Sequence, residues 1–162
     1  LTPSTWAGLA SRTMATRPSF RDRAFVVRTY DFGEADRVVV LLTRNHGLVR
    51  SVAKGVRKAK SRFGSRVQMF VELDVQLYPA RNQGRGLATI TQADTVAYYG
   101  RGIIDDFDRY TAGCAILESA ERLSYADGML FSDISHSLRL LQDATNPTLV
   151  LDAFIPVSYT HL

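Results

Sequence analysis

"VQMFVELDVQLYP", residues 67–79, places Val71, Leu73, Val75 and Leu77 at every second position, with Glu72, Asp74 and Gln76 between them. Successive side chains of an extended chain point to opposite faces, so this alternation predicts a strand with one buried and one wet side. Working backwards, "LVRSVAK" (48–54) sets Val49 and Ala53 against Arg50 and Lys54 in a half-buried pattern. "RVVVLLT" (37–43) is apolar on both faces and reads as a central strand. "AFVVRTY" (24–30) is rich in β-branched and aromatic residues, a further strand. Turns fall at "DFGEAD", around Gly33, and at "RNHG", which ends in Gly47. Working forwards, "ARNQGRG" is a loop, with Gly84–Gly86 at a hairpin, and "LATITQADTVAYY" (87–99) is a fifth strand. Five short strands in about 75 residues predict a mainly β fold with added α structure, a five-stranded OB-fold barrel over residues 20–100.

The hydrophobic period changes after Gly102. Phe107, Tyr110, Cys114, Leu117, Ala120 and Leu123 recur at spacings of three and four, one helical stripe. Asp105, Asp106 and Asp108 crowd its start, where the helix dipole favours acids. A second helix is expected over 132–142, with Leu138 and Leu141 inward. A third opens with Asn146 as cap and Pro147 in the first turn, and Pro156 is expected to stop it. Residues 101–154 are thus read as a partial, truncated α-helical domain. Residues 1–19 are read as a disordered or non-native lead-in, with Met14 the more natural start, and residues 155–162 as a non-native tail that continues no pattern.

Charge divides the chain. Residues 1–66 carry fourteen Lys/Arg and four Asp/Glu, and residues 67–162 carry six and twelve. The basic half suits a polyanionic partner. The single cysteine, Cys114, rules out an internal disulfide framework and a multi-cysteine zinc site within this chain, and a reducing cytosolic compartment fits best. No apolar run reaches the length of a membrane span.

The basic charge peaks in "RSVAKGVRKAKSRFGSR", residues 50–66, where Arg50, Lys54, Arg57, Lys58, Lys60, Arg62 and Arg66 occur without one acid. A solvated loop is the plain explanation of such a run. Three features favour more. Two strands hold the segment, Gly55 and Gly64 allow close backbone approach, and Phe63 offers a ring amid the charges. Phosphates neutralised by cations and a base stacked on an aromatic ring describe a single-stranded nucleic-acid surface. No base-reading device is evident, so sequence-independent binding is expected.

The run "GEADRVVVLLTRNHGLVRSVAKGVRKAKSRFGSRV", the strand ending "LYPARN", and then "ITQADTV", "DRYTAGCAILESAERL" and "LVLDAF" together resemble the bacterial recombination mediator RecO family, over most of residues 20–154. The resemblance implies an OB-fold followed by a helical domain. It implies binding of single- and double-stranded DNA, annealing of complementary strands, and assistance to RecA loading on DNA coated by single-stranded-DNA-binding protein (SSB), together with RecR. It implies no covalent catalysis and a cytoplasmic, nucleoid-associated location. Implied partners are DNA, RecR, the SSB C-terminal tail and, indirectly, RecA. Carried onto this chain, the DNA-binding set is Arg28, Arg37, Arg50, Lys54, Arg57, Lys58, Lys60, Arg62, Phe63 and Arg66. The zinc-binding cysteines of many family members are absent here, so no cofactor is expected.

Other candidates are weaker. Glu34 and Asp36 bracket a turn, where acids cap backbone N–H groups or pair with arginine more often than they catalyse. Cys114 on an apolar stripe is expected to be a small buried hydrophobe. His46 is expected to be an exposed turn residue, with phosphate contact the weaker alternative, and with His136 and His161 it forms no metal constellation. Tyr98, Tyr99, Phe107 and Tyr110 are expected in the core or at the barrel–helix junction rather than on a stacking platform, and Tyr78 at a strand end fits either reading. The rival function is an assembly module whose basic face meets an acidic protein partner; a hydrolase with a hidden carboxylate site is the more distant one.

Overall fold

A computed structural model describes residues 18–58, 66–80, 86–123 and 128–160. The strands are β1 (Phe20–Phe32), β2 (Asp36–Thr43), β3 (Leu48–Ala53), β4 (Val71–Tyr78) and β5 (Ala88–Tyr98). They close into a barrel in the order β1-β2-β3-β5-β4. Every pairing is antiparallel except β3 with β5, where Ser51 faces Ala88 and Val52 faces Thr89. This is the five-stranded OB-type barrel expected from the alternation. β1 is longer than its apolar run. Its first half pairs with β4 and its second with β2, with a bulge between Val26 and Arg28 that lets one strand serve both neighbours.

The alternation of β4 is realised in full: Val71, Leu73, Val75 and Leu77 line the barrel interior with Ala24, Val26, Val39, Leu41 and Ala53. β2 is buried on both sides, as its unbroken apolar run requires. Val39 and Leu41 face inward, whereas Val40 and Leu42 join Phe25 and Val27 in a second core beneath the helices. The 67–70 stretch is not part of β4. It turns instead, and Phe70 adopts φ 65° with its side chain almost fully buried. That conformation is unusual for a bulky residue. It swings the ring out of the strand's plane and into the core shared with the helices.

The helices are α1 (Phe107–Arg122), α2 (Gly128–Leu141) and α3 (Pro147–Thr160). Asp106 caps α1, its carboxylate accepting from the Arg109 backbone N–H. The buried stripe of α1 is Ala112, Gly113, Ile116, Leu117 and Ala120, rotated from the expected one. Phe107 is 81% exposed and Tyr110 is 42% exposed, so neither is core. The cause is Gly113, where an added Cβ would lie 2.6 Å from the Phe70 ring. Small residues let α1 press on Phe70; Tyr110 stays at the junction, its ring edge-on to Phe70 with centroids 6.0 Å apart, and only Phe107 is turned out to solvent. Cys114 is only partly buried at the edge of this core, and its hydrogen bond to Tyr110 holds that phenol above its ordinary range. Of the other ring candidates, Tyr99 is buried at the junction, whereas Tyr78 and Tyr98 are exposed.

α2 starts earlier than expected, because Leu130, Phe131 and Ile134 extend the inward face of Leu138 and Leu141. Phe131 packs on Phe25 with ring centroids 4.9 Å apart, and the Tyr99 hydroxyl meets Ser135 Oγ at 3.0 Å. α3 continues through Pro156 to Thr160 instead of stopping there. A proline inside a helix forfeits one hydrogen bond and crowds the preceding turn, but it does not forbid the next turn. Burial of Phe154 anchors α3 just before it. Arg109 ties the loop before α1 to the end of α2: Nη1 donates to the carbonyls of Gly102 and Gln142, and Nε donates to that of Ala144. No helix among the described residues is long and apolar enough to cross a membrane.

Candidate nucleic-acid interface

β3 directs Arg50, Val52 and, just past the strand, Lys54 away from the barrel interior, which Val49, Ser51 and Ala53 face; Val52, between the two cations, is nonetheless buried. Ser51 is fully buried and satisfied by donating to the Val39 carbonyl. Arg50 and Lys54 lie about 13 Å apart along the strand at ~3.3 Å per residue. Both are exposed, and neither has an ion pair among the described residues.

The chain then turns at Gly55, with φ 69°, and docks on the β1–β2 turn. Asp36 Oδ1 accepts from Gly55 N at 2.8 Å, Arg57 N donates to the Ala35 carbonyl, and Arg57 Nη1 donates to that of Gly33. Asp36 is therefore a turn-capping acid, and Glu34 is exposed. Arg37 and Arg57 share Asp31, at 3.5 and 3.7 Å. Lys58 is exposed beside them and has no ion pair among the described residues.

Two members of the expected set are drawn elsewhere. Arg28 and Arg50 are separated by Val40, their common cross-strand neighbour. Arg28, however, reaches α1, pairing with Glu121 at 3.0 Å and lying over the Tyr30 ring at 5.5 Å. Arg66 crosses to β5, donating to the Ala93 carbonyl at 3.2 Å with Asp94 at 3.8 Å. The acidic half thus reaches two of the ten candidates. Half-exposed pairs of this kind contribute only ~0–1 kcal/mol, so a phosphate can compete for the cation. Lys60, Arg62 and Phe63 lie outside the described residues. The contiguous, unpaired part of the described set is Arg50, Lys54 and Lys58.

The other end of β3 was not singled out by charge counting. Asp22, almost fully buried, organises the β2–β3 turn: it accepts from the backbone N–H groups of Arg23 and Asn45, from the Asn45 side-chain amide, and from His46 Nδ1 at 2.7 Å. His46 is half-exposed, as expected of a turn, but its ring is fixed by this bond and rests on Phe20 with centroids 4.4 Å apart. Arg44 in the same turn is exposed and has no ion pair among the described residues. A lone Asp in an otherwise basic stretch, "RDR" at 21–23, was the available signal. Beside this turn lies a groove of about 560 Å³, whose walls include Phe20, His46, Leu48, Arg50, Pro79 and Leu87. Arg21 and Arg23, also outside the expected set, are committed to Asp74 and Glu72 of β4. Among the described residues no three His, Cys, Asp or Glu side chains are grouped to hold a metal ion.

Comparison with known proteins matches residues 14–99 to the family described as "Recombination protein O N terminal". The chain is 48% identical over 143 residues to the DNA repair protein RecO of Streptomyces coelicolor, 47% to that of Streptomyces avermitilis and 46% to that of Streptomyces griseus. In each case the match covers 84% of this chain and 58% of the relative. The chain therefore spans somewhat more than half the length of the curated relatives it matches. The matched region contains all five strands of the barrel and the basic segment between β3 and β4, and on this the chain belongs to the RecO family.

Proposed function

We propose that this chain acts in DNA repair by binding nucleic acid through the sugar-phosphate backbone, without base-sequence preference and without covalent catalysis. The observation that carries the reading is the row Arg50–Lys54–Lys58, three exposed cations on one strand and its following turn, free of carboxylate partners among the described residues. Release of condensed counterions drives such binding, and its mark is affinity that falls with salt. Annealing of complementary strands follows from the same surface, because two strands held by their phosphates leave their bases free to pair. Assistance to RecA loading on SSB-coated DNA with RecR is the further role proposed from family membership, as is a cytoplasmic, nucleoid-associated location. Arg28, Arg37, Arg57 and Arg66 are assigned secondary parts, because each must first give up a carboxylate. The same cationic row also fits an acidic protein tail.

Fluorescence anisotropy with labelled single-stranded oligonucleotide across a salt series, with polyglutamate as competitor, tests the proposal. Tight, steeply salt-dependent binding that polyglutamate displaces poorly is the expected result. Equal competition by polyglutamate would favour the assembly module, and no binding to any oligonucleotide would end the DNA reading.

A further inference from the structure

The geometry points to the groove beside the β2–β3 turn as a seat for one unstacked nucleobase of a bound single strand, its phosphate held by Arg50. This deepens the nucleic-acid reading above and rests on it.

A base needs a flat, polarisable surface, apolar walls and a nearby cation for its phosphate. The groove supplies all three. The His46 ring is backed by Phe20 at 4.4 Å, and its side chain is 43% exposed, so ring surface remains open to a ligand. Leu48, Pro79 and Leu87 are its apolar walls. Arg50 lies at the wall and is also the first cation of the β3 row, so a strand tracking from Lys54 to Arg50 arrives at the groove. The volume of about 560 Å³ falls within the roughly 300–1,000 Å³ typical of small-ligand clefts.

The surroundings are preorganised. Asp22 accepts from His46 Nδ1, which fixes the orientation of the ring and leaves Nε2 as the ring nitrogen available to hydrogen-bond a base. The Asp22 bonds to Asn45 and the Thr43 hydroxyl bonds to His46 N and the Gly47 carbonyl fix the turn that carries the ring. A ring held in this way loses little freedom when a ligand stacks on it. A nucleobase suits the groove better than an aliphatic side chain, since it uses both the ring face and Nε2.

The test compares binding of oligothymidylate with that of an abasic deoxyribose-phosphate strand of equal length, at one salt concentration, using the full chain. Wild type is expected to prefer the base-bearing strand by about 5- to 100-fold, the usual worth of a stacked base. Ala80 also lines the groove, so Ala80→Trp, which fills it, and Phe20→Leu, which keeps apolar bulk but removes the backing ring, are each expected to reduce that preference several-fold. Affinity for the abasic strand and the far-ultraviolet dichroism should stay as in wild type. Equal wild-type binding of both strands, or a preference that survives Ala80→Trp, would overturn the groove while leaving backbone binding intact. Failure to bind either strand would remove the nucleic-acid reading and the groove with it.

Discussion

Replacing Arg50, Lys54 and Lys58 together by alanine should have a larger effect than replacing Arg28, Arg37 and Arg66, although each triple removes three positive charges. The first three have no carboxylate partner among the described residues, whereas the second three face Glu121, Asp31 and Asp94 at 3.0, 3.5 and 3.8 Å. Each phosphate neutralised on a single strand contributes about 0.7 to the log–log salt slope, so loss of three contacts lowers its magnitude by ~2. At 0.1 M salt that corresponds to roughly a 100-fold loss of affinity. For the second triple, each arginine is already partly neutralised, and its removal leaves an unmatched acid near the strand. The slope should then fall by less than ~1, with a small loss of affinity at every salt concentration. Fluorescence anisotropy across 50–400 mM salt, about a decade of concentration, measures both slopes. Equal slope changes in the two triples would refute the view that local pairing decides which cations grip DNA.

Three further outcomes are expected. Asp22→Ala removes the acceptor of the Asn45 N–H groups and releases His46, so stability should fall by about 1.5–3 kcal/mol in urea titration. Gly102→Ala should cost more than ~2 kcal/mol, since its φ of 81° disfavours a side chain and the new Cβ would meet the Gln142 carbonyl oxygen; thermal melting measures it. Arg109→Ala, by removing three bonds to backbone carbonyls, should lower stability by about 2–3 kcal/mol and the melting temperature by roughly 4–12 °C, while Arg109→Lys restores only part of it.

The barrel was legible because its signal is local. Period-two alternation at 71–77 and the two-sided apolar run at 38–42 dictate faces whatever surrounds them, and both faces came out as read. The helix stripe was not legible in the same way. Phe107 and Tyr110 fit its spacing, but the position of the interface was decided by a non-local fact, the Phe70 ring opposite Gly113. The candidate site divides along the same line. Charge density picked out β3 and its turn, and Arg50, Lys54 and Lys58 stand there. It could not register that Glu121, 55 residues beyond the basic run, returns to meet Arg28, or that β5 brings Asp94 to Arg66. The Phe20–His46 ring contact was hidden because its two members lie 26 positions apart on different elements.

The two-sided burial of β2 makes the barrel and helices thermodynamically inseparable. A fragment ending near residue 100 would leave Phe25, Val27, Val40 and Leu42 facing water, at ~1.5–3 kcal/mol apiece. Such a loss approaches the whole folding free energy of an ordinary domain. Melting should accordingly be one cooperative event, and ligand bound at the rim of β3 would raise the unfolding temperature of α2 as much as that of the strands.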